Sequence, residues 1–399
     1  MKFEDSSVQL LETHTSLKGI YEDIERAGRT SYQSIGTRYF NVPDDTGDPK
    51  AQALLTSLKA DQKVKVQTGP FFDHSYYVSI PNNLIKQYSD ILNYEEETLE
   101  TSPLYENVTA EGFVNMLKSN GHLAPLEFGT VYLVIPVRVR GCDKQDCKNI
   151  AIVEHYQDNH YSKVIAKTFE NIGYTPECFK ELANENGPCT FYCISTNLRV
   201  VVENDWITDL AYLSKPTPFH EKRFTARVKT SIGISREWNR SRTLSIVEES
   251  TRYCNYSKDK FDKELTFIIP QWMYRVRDEI ADTIEPMTGY SRDWLKECTG
   301  DTMVKHLTCL DRSVASYWEF LNRVEDEYLY QTTTDEGTQL KPQEARGILP
   351  LDLRTRVMYC GFKSDWDHFF QLRTAASAHP DIQKLAKDLQ KQINQNLAN

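Results

Sequence analysis

Arginines and hydroxyl side chains are concentrated in one short window, residues 236–253, of a 399-residue chain whose formal net charge is -10. The residues in it that could bind an anion are Arg236, Arg240, Arg242, Ser250, Thr251 and Arg252. A guanidinium group donates two parallel N–H bonds to a phosphate, and a Ser or Thr hydroxyl adds a short donor. A local cationic segment in an acidic protein therefore predicts a site for a specific anionic ligand, rather than a surface for polyanions in general.

The same arginines also have a purely structural interpretation. Arginines on a helix commonly form a solvated face and pair with carboxylates three or four residues away. The window contains suitable partners in Glu237, Glu248 and Glu249. The spacing of the arginines alone leaves both interpretations open, and the order of the residues around them favours the ligand site.

That order resembles the signature of the flavin-dependent thymidylate synthases. The signature has Arg-x-Arg, seven residues and then Ser-x-Arg-Tyr, and this chain has Arg240-Ser241-Arg242, seven residues, and Ser250-Thr251-Arg252-Tyr253. Residues 254–261, with the sequence CNYSKDKF, resemble one bacterial branch of the family. Other segments follow the family order: GHLAPLE at 121–127, PTPFHE at 216–221, EARGILPL at 344–351 and DHFFQLR at 367–373. The resemblance covers about 9–32, 111–137, 190–270 and 343–388.

The resemblance implies a reaction and its co-substrates. A one-carbon unit from methylenetetrahydrofolate would be transferred to C5 of dUMP to give dTMP, with hydride from reduced FAD, which NADPH re-reduces. It also implies an α/β fold with helices packed on a mostly antiparallel sheet, assembled as a homotetramer whose active sites are built from several subunits. No cysteine lies inside the arginine motif, which agrees with a family in which the cofactor supplies the difficult chemistry.

The resemblance also assigns roles to individual residues. The expected dUMP-binding residues are Glu237, Trp238, Asn239, Arg240, Glu248, Glu249, Ser250, Thr251, Arg252, Arg346 and Arg373. The expected FAD-binding residues are Thr217, Arg240, Ser241, Arg242, Glu248 and His368, although His122 with its neighbours is an alternative to Thr217. Arg373 is the expected catalytic residue, because a fixed cation at the uracil ring stabilises the negative charge that develops there.

Four residues depart from the family pattern. Ser241 replaces the His of Arg-His-Arg, Val247 and His368 each replace an Asn, and Glu237 replaces a frequent Gln. We expect all four at positions that face a ligand. A serine cannot carry a proton near neutral pH as an imidazole can, and Glu237 would either repel the phosphate or accept from the ribose 3′-hydroxyl.

These departures leave two alternatives to thymidylate synthesis. One is a paralogue that modifies C5 of a pyrimidine nucleotide differently, for instance by hydroxymethylation. The other is a non-catalytic nucleotide- or RNA-binding homologue, since a shared fold does not imply a shared activity. Bound FAD would argue against the second alternative, and the mass of the product would test the first.

Composition limits the class of protein and its compartment. The acidic balance argues against a nucleic-acid footprint spread over the surface. The sequence has neither a signal-peptide pattern at its start nor an apolar run of the roughly 20 residues that a membrane helix needs, so we expect a cytoplasmic protein. Nine scattered cysteines favour reduced thiols. The pairs Cys142/Cys147 and Cys189/Cys193 favour a turn and a strand over zinc ligands, and we expect no metal.

Hydrophobic periodicity predicts the elements that position these residues. Helices are expected at 17–27, 162–185, from 231 with Arg236 and Arg240 on one face, at 314–328 and at 382–397. Strands are expected at 131–135, 190–201 (passing into a helix), 222–230 and 265–269, with a loop at 41–63. The mixture lacks regular βαβ alternation and predicts an α+β fold. We expect one catalytic region over residues 1–399, with insertions near 33–105, 140–185 and 285–342.

Overall fold

The computed structural model describes residues 2–32, 37–43, 49–68, 75–92, 106–139, 143–170, 172–183, 188–254, 256, 264–272, 306, 308–317 and 342–398. The chain divides into two compact units. Unit 1 comprises Met1–Leu11, Thr30–Gln33 and Phe224–Asn399, and unit 2 comprises Glu12–Arg29 and Ser34–Arg223. The prediction that the whole chain acts as one catalytic region with insertions stays a prediction.

The described residues form a mixture of strands and helices, which confirms the predicted combination of helix and sheet. The strands are β1 (Lys2–Glu4), β2 (Ser7–Leu11), β3 (Thr37–Pro43), β4 (Lys65–Thr68), β5 (Ser75–Pro81), β6 (Glu106–Asn107), β7 (Thr130–Arg138), β8 (Lys163–Phe169), β9 (Cys189–Asn197), β10 (Arg223–Ser231), β11 (Ser245–Glu248), β12 (Thr266–Ile268) and β13 (Arg354–Phe362). The helices are α1 (Leu17–Tyr32), α2 (Pro49–Ala60), α3 (Asn82–Leu92), α4 (Thr109–Ser119), α5 (Lys144–Gln157), α6 (Glu177–Lys180), α7 (Leu198–Glu203), α8 (Ile232–Trp238), α9 (Pro342–Ala345), α10 (Lys363–Arg373) and α11 (Pro380–Ala398). Short 3₁₀ helices occupy Ala124–Phe128, Ile172–Tyr174, Ile207–Tyr212 and Arg346–Ile348.

Unit 1 is built on a four-stranded sheet with the order β11-β13-β10-β2. The pairs β10/β2 and β11/β13 are antiparallel, whereas β1 and β12 form a separate parallel pair. Buried side chains from the sheet and from α8, α10 and α11 form its core: Phe224, Val228, Trp238, Tyr359, Trp366, Phe369, Phe370, Leu385 and Leu389. Burying each such side chain contributes about 1.5–3 kcal/mol, so the sheet and these helices form a rigid base for the residues at their ends.

Unit 2 contains two antiparallel sheets, with the orders β7-β9-β8 and β4-β5-β3-β6. The first sheet packs against α1, α4 and α5 through a core that includes Ile20, Ile24 and Val131. The second sheet packs against α2 and α3 and has a core of its own, which includes Phe40, Leu58 and Val78. Strands β3, β4 and β5 of the second sheet lie within the expected insertion at 33–105, and the sheet has enough apolar side chains to bury its own inner face.

Helix α8 is short because both of its ends are capped locally. The Ser231 hydroxyl accepts from the N–H of Ile234 at 3.4 Å, as an N-cap serine does. After Trp238 the bonds shift to the tighter turn pattern, since Ser241 N donates to Trp238 O at 2.9 Å. The prediction that Arg236 and Arg240 share one helix face is therefore wrong, because the helix ends before Arg240.

Several predicted elements are confirmed, and their buried faces match the sequence pattern. These are α1, β7, β9 followed by α7, β10 followed by α8, β12 and α11. In α11 the apolar stripe Ile382, Leu385, Leu389 and Ile393 is buried, although Leu397 at its end is exposed. Residues 308–317 are helical, and the rest of the helix predicted at 314–328 lies outside the described residues.

Three predicted elements are wrong, each for an identifiable reason. The helix at 162–185 is instead β8 and the short α6, because β8 pairs with β9 from Lys163↔Ser195 to Phe169↔Cys189, and local periodicity does not report such long-range pairing. The loop at 41–63 contains α2, which begins at Pro49, where a missing N–H costs little. The turn proposed after Cys142 is the start of α5, with Asp143 as its N-cap.

Among the described residues, no helix combines the length and the apolar character required to cross a lipid bilayer.

Candidate functional site

The arginines that the sequence singled out lie on the surface of unit 1. Arg236, Arg240, Arg242, Arg252 and Arg346 are exposed, and none of them is ion-paired with a carboxylate among the residues that the structure describes. The structural interpretation, in which neighbouring glutamates neutralise these arginines, therefore does not hold for the described residues. Their guanidinium groups are available to an anion from solution.

One group of donors forms at the turn that follows β11. The Ser250 main-chain oxygen accepts from Tyr253 N at 3.2 Å and from Cys254 N at 2.9 Å, which folds residues 250–254 into a tight turn. Arg346 comes from a distant part of the chain, and its Nη1 donates to Thr251 Oγ1 at 3.2 Å. The turn thus brings two hydroxyls and two exposed guanidinium groups together, which is a donor set suited to a phosphate. We call these four residues, Ser250, Thr251, Arg252 and Arg346, the hydroxyl–arginine turn.

The Ser250 hydroxyl and the Arg252 guanidinium have further local contacts. Ser250 Oγ accepts from Arg252 N at 3.3 Å. The Arg252 guanidinium lies 5.3 Å from the centroid of the Tyr253 ring, within the range of a cation–π contact. The hydroxyl thus keeps its own proton available as a donor, and the aromatic ring supports the arginine without neutralising its charge.

Glu248 acts within the structure as a hydrogen-bond acceptor for three side chains. Its Oε1 accepts from Ser235 Oγ at 2.7 Å and from Thr355 Oγ1 at 3.1 Å, and its Oε2 accepts from Asn239 Nδ2 at 3.2 Å. These contacts tie the end of α8 to β13. The prediction that Glu248 contacts both dUMP and FAD stays a prediction. Either ligand would bind a carboxylate that already accepts hydrogen bonds from three side chains of the protein.

Asn239 and Trp238 connect this network to the core. Tyr359 Oη donates to Asn239 Oδ1 at 2.9 Å, and burial together with the charge of Glu248 raises the pKa of Tyr359 well above its ordinary value. The Trp238 ring is fully buried between Tyr359 and Phe369. Only the main chain of Trp238 could therefore reach a nucleotide in this structure, and its predicted dUMP contact stays a prediction.

Arg373, the expected catalytic residue, ends α10 beside the end of α8. Its Nη2 donates to the Glu237 main-chain oxygen at 2.8 Å, and its Nη1 lies 3.6 Å from Glu237 Oε2. The predicted dUMP-binding residues Glu237 and Arg373 are thus brought together, although they are far apart in sequence. Their pairing differs from both roles expected for Glu237, which were repulsion of the phosphate and acceptance from the ribose.

Arg240, Ser241 and Arg242 lie in the turn between α8 and β11. Arg240 and Arg242 are exposed, and Ser241 is half-buried. Leu244 N donates to Ser241 O at 3.1 Å, which closes the turn. His368 is exposed on α10. The structure therefore leaves the side chains of the two arginines and His368 accessible, and their predicted contacts with FAD stay predictions.

Glu249 and Val247 are buried side chains of β11 and its end. This strand connects the turn of residues 240–242 to the hydroxyl–arginine turn. Glu249 is 4% exposed, and its Oε1 accepts from Tyr256 Oη at 3.0 Å. Burial raises the pKa of the Glu249 carboxyl, against the lowering effects of Arg354 and of the Tyr256 hydrogen bond. The Val247 side chain is buried, and the expectation that it faces a ligand stays a prediction. The predicted dUMP contact of Glu249 stays a prediction.

Thr217 belongs to unit 2 and lies in a closed turn there. Both Thr217 N and Thr217 Oγ1 lie 2.9 Å from His220 Nδ1, and His220 Nε2 lies 3.0 Å from Leu133 O. The main-chain N–H must donate to Nδ1, so the neutral ring carries its proton on Nε2 and donates it to Leu133 O. Burial lowers the pKa of His220 to about 4. The Thr217 side chain is buried in this turn, so its predicted FAD contact stays a prediction, as does the alternative contact through exposed His122.

The sequence did not identify the residues that hold the site together. Ser235, Thr355 and Tyr359 support Glu248 and Asn239, but no local spacing relates them, because their proximity depends on the pairing of β11 with β13. Knowledge of the β11/β13 register, from Ser245↔Cys360 to Glu248↔Val357, would have identified Thr355 and Tyr359 as neighbours of the site. No group of three or more His, Cys, Asp or Glu side chains in the described part of the chain is arranged to hold a metal ion.

Comparison with known proteins identifies the family. The family described as thymidylate synthase complementing protein (Thy1) matches residues 160–397, which is more than half of the chain. A protein of Mycolicibacterium gilvum named flavin-dependent thymidylate synthase is 36% identical over 76 residues, covering 19% of this chain and 30% of that protein. A protein of Mycobacterium marinum with the same name is 29% identical over 87 residues, covering 22% of this chain and 35% of that protein.

The aligned segment thus spans about a third of the length of these curated relatives. A crystal structure of thymidylate synthase X from Helicobacter pylori with FAD and dUMP is 18% identical, covers 42% of this chain and 65% of that chain, and superposes with a TM-score of 0.24. The family match contains the whole hydroxyl–arginine turn and both residues of the Glu237–Arg373 pair. Because the family match extends over more than half of the chain, this chain belongs to the thymidylate synthase complementing protein (Thy1) family.

Proposed function

We propose that this protein transfers a one-carbon unit from methylenetetrahydrofolate to C5 of dUMP, giving dTMP, with FAD as cofactor and NADPH as reductant. Membership of the Thy1 family supports this proposal. The names of the curated relatives support it as well, since each is a flavin-dependent thymidylate synthase. The observation that carries it to this chain is the hydroxyl–arginine turn, whose donors suit the 5′-phosphate of a nucleotide.

In this proposal the hydroxyl–arginine turn binds the dUMP phosphate. Arg252 and Arg346 supply charge, and the hydroxyls of Ser250 and Thr251 supply short hydrogen bonds. The existing contact between Arg346 and Thr251 holds both before any ligand arrives. Such preorganisation lowers the entropy that is lost when the nucleotide binds.

The donors of the neighbouring turn fit the pyrophosphate of FAD. Arg240 and Arg242 are exposed and unneutralised by the carboxylates of the described residues, so their guanidinium groups could bind a dianionic pyrophosphate. Ser241 and exposed His368 would lie with them at the flavin, and Arg240 would also approach the nucleotide. When bound, FAD supplies the hydride for the reaction.

Arg373 would face the uracil ring of dUMP. Transfer at C5 places negative charge on the pyrimidine oxygens, and a cation held in position stabilises that charge without reorganising. Arg373 is only 17% exposed, so less water surrounds its guanidinium group than surrounds a surface arginine. Lower hydration strengthens its interaction with a developing charge.

We also propose that the enzyme is a homotetramer with shared active sites. Arg240 and Arg242 precede β11, whereas Ser250 and Arg252 follow it. From Ser245 to Glu249 the extended chain spans roughly 13 Å at about 3.3 Å per residue. In this proposal the donors before β11 bind FAD and those after it bind the dUMP phosphate, and each site would combine the two groups from different copies of the chain.

A second candidate reaction is hydroxymethylation at C5 of a pyrimidine nucleotide. The feature that favours it is Ser241, which removes an imidazole from the centre of the proposed flavin site. The mass of the nucleotide product separates the two reactions.

The proposal can be tested by binding. The purified protein is expected to carry flavin absorbance or to acquire it from added FAD, and to bind dUMP by isothermal titration calorimetry. We expect dUMP to bind more tightly than deoxyuridine, because the hydroxyl–arginine turn needs the phosphate. A protein that binds neither FAD nor dUMP would contradict the proposed function.

A further inference from the structure

We infer that Glu237 is a positioning residue, which fixes the guanidinium group of Arg373 through its main chain and its carboxylate together. The inference rests on the proposed function, because it concerns the cation proposed to face the pyrimidine. Two contacts carry it: Arg373 Nη2 donates to Glu237 O at 2.8 Å, and Arg373 Nη1 lies 3.6 Å from Glu237 Oε2. One residue thus holds both terminal nitrogens of the guanidinium group.

Both members of the Glu237–Arg373 pair are attached to the same aromatic core. Trp238 follows Glu237 directly, and its ring centroid lies 4.4 Å from that of Phe369, one helical turn before Arg373. Trp238 also stacks on Tyr359, with centroids 4.9 Å apart. The end of α8 therefore cannot shift relative to the end of α10 without opening this core, and the two contacts to Arg373 keep their geometry.

The contacts of Arg373 also limit which of its N–H groups can bind a ligand. Its Nε is buried without a hydrogen-bond partner among the described residues, so only the terminal nitrogens can reach a nucleotide. Of the N–H groups on these nitrogens, one donates to the Glu237 main-chain oxygen. The remaining ones keep a fixed direction because the guanidinium group is planar.

The pair has a larger effect on geometry than on stability. The side chains of Glu237 and Arg373 are 32% and 17% exposed, and partly exposed ion pairs contribute little to folding because water competes for both charges. A fixed cation matters most when charge develops on the substrate, since it then needs no reorganisation. Loss of the Glu237 charge should therefore reduce the rate of the chemical step more than the binding of dUMP.

The test is a double-mutant cycle with Glu237→Gln, Arg373→Ala and the double variant, measured for kcat, KM and the Kd of dUMP. Glu237→Gln keeps the main-chain contact and the side-chain shape but removes the charge. We expect it to lower kcat about tenfold while KM and Kd change less than about threefold. In the Arg373→Ala background the same change should cause no further loss, because Glu237 acts through Arg373.

Two further variants control the cycle. Asp367→Asn removes an exposed carboxylate from α10, the helix that carries Arg373, and is expected to leave kcat unchanged. Glu237→Asp keeps the charge but withdraws it by one methylene group, and it should give a kcat between those of the wild type and Glu237→Gln. This variant also provides a second measurement if Glu237→Gln folds poorly.

The outcomes separate the inference from the function on which it rests. Additive losses in the cycle would overturn the positioning role, and so would a raised Kd for dUMP with unchanged kcat, which indicates direct contact with the nucleotide. Failure of the wild-type protein to bind or convert dUMP would instead overturn the proposed function. Non-additive losses confined to kcat would support the inference.

Discussion

Arg252 lies exposed beside the hydroxyls of Ser250 and Thr251, with no carboxylate of the described residues to neutralise it. We predict that Arg252→Ala weakens dUMP binding about 10- to 100-fold, because a hydrogen bond to a charged group is worth about 1.5–3 kcal/mol. Flavin content should not change, since the proposed FAD donors precede β11. Calorimetry with dUMP and the flavin absorbance of the purified variant measure both quantities.

A matched control for Arg252 is available in the same unit. Arg227 is an exposed arginine on β10, and Arg227→Ala removes an equal charge outside the proposed site. It should leave the Kd of dUMP within about twofold of the wild-type value. Equal weakening by both substitutions would show that net charge, rather than the hydroxyl–arginine turn, controls binding.

Ser241 is the departure from the family motif with the clearest chemical consequence. We predict that Ser241→His preserves or raises formation of dTMP, because the half-buried side chain lies in a turn and not in the packed core. The nucleotide product of the variant and of the wild type is compared by mass spectrometry. Abolition of the native activity by this substitution would mean that the serine is a specialisation for another reaction.

At the scale of single residues, the sequence brings together some side chains of the candidate site but does not identify those that support them. The motif brings Arg346 and Thr251 into the same predicted site across a large separation in sequence, and the two are in contact. It gives no indication that Ser235 and Thr355 would hold Glu248. Such supporting contacts depend on which strands pair, and residue types alone do not encode that pairing.

Trp238 packs the end of helix α8 into the core of unit 1. We predict that Trp238→Ala destabilises unit 1 by about 3–5 kcal/mol, because deletion of a large, fully buried aromatic side chain leaves a cavity. Thermal unfolding monitored by circular dichroism should show a lower Tm. Tyr174→Ala is the control, since Tyr174 is 83% exposed and its loss should leave Tm almost unchanged. A Trp238→Ala variant with the wild-type Tm would contradict the role of this core.

The turn of Thr217 and His220 makes the stability of unit 2 depend on pH. Burial lowers the pKa of His220 to about 4, below the value of about 6.5 for an unperturbed histidine. Between these two values the unfolded chain binds a proton that the folded chain does not, so stability falls as pH falls from about 6.5 to about 4. The effect is at most about 3 kcal/mol.

We therefore predict that His220→Gln removes part of this pH dependence. The free energy of unfolding in urea is measured near pH 7 and near pH 5 for the wild type and the variant. The wild type should lose more stability on acidification than His220→Gln does. His160→Gln, at an exposed position, should retain the wild-type dependence. Identical losses in the wild type and in His220→Gln would show that this histidine is not buried in its neutral form.

At the scale of elements, periodicity predicts the amphipathic helices and the buried strands. The stripe of Ile20, Ile24 and Ala27 in α1 is fully buried, as its spacing indicates. The prediction fails for β8, whose outward residues are mostly exposed, because an edge strand with polar exposure carries a weak apolar signal. The pairing of β8 with β9 determines its structure. The paired residues are too far apart in the sequence for a local hydrophobic pattern to detect them.

At the scale of the whole molecule, the predicted insertion at 33–105 contains three strands of one sheet of unit 2 and the core of that sheet, whereas the proposed donors other than Thr217 belong to unit 1. Composition and motif order predict the mixed fold and the family, but they do not predict this division. The reason is that each unit is defined by contacts between segments far apart in the sequence, such as β2 with β10.

The proposed conversion of dUMP to dTMP is tested by mass spectrometry of the nucleotide product. The purified protein is incubated with FAD, NADPH, methylenetetrahydrofolate and dUMP under low oxygen. We expect a product heavier than dUMP by one methylene unit, and less of it with Arg252→Ala. A hydroxymethyl adduct, or unchanged dUMP despite reduced bound flavin, would contradict thymidylate synthesis by this chain.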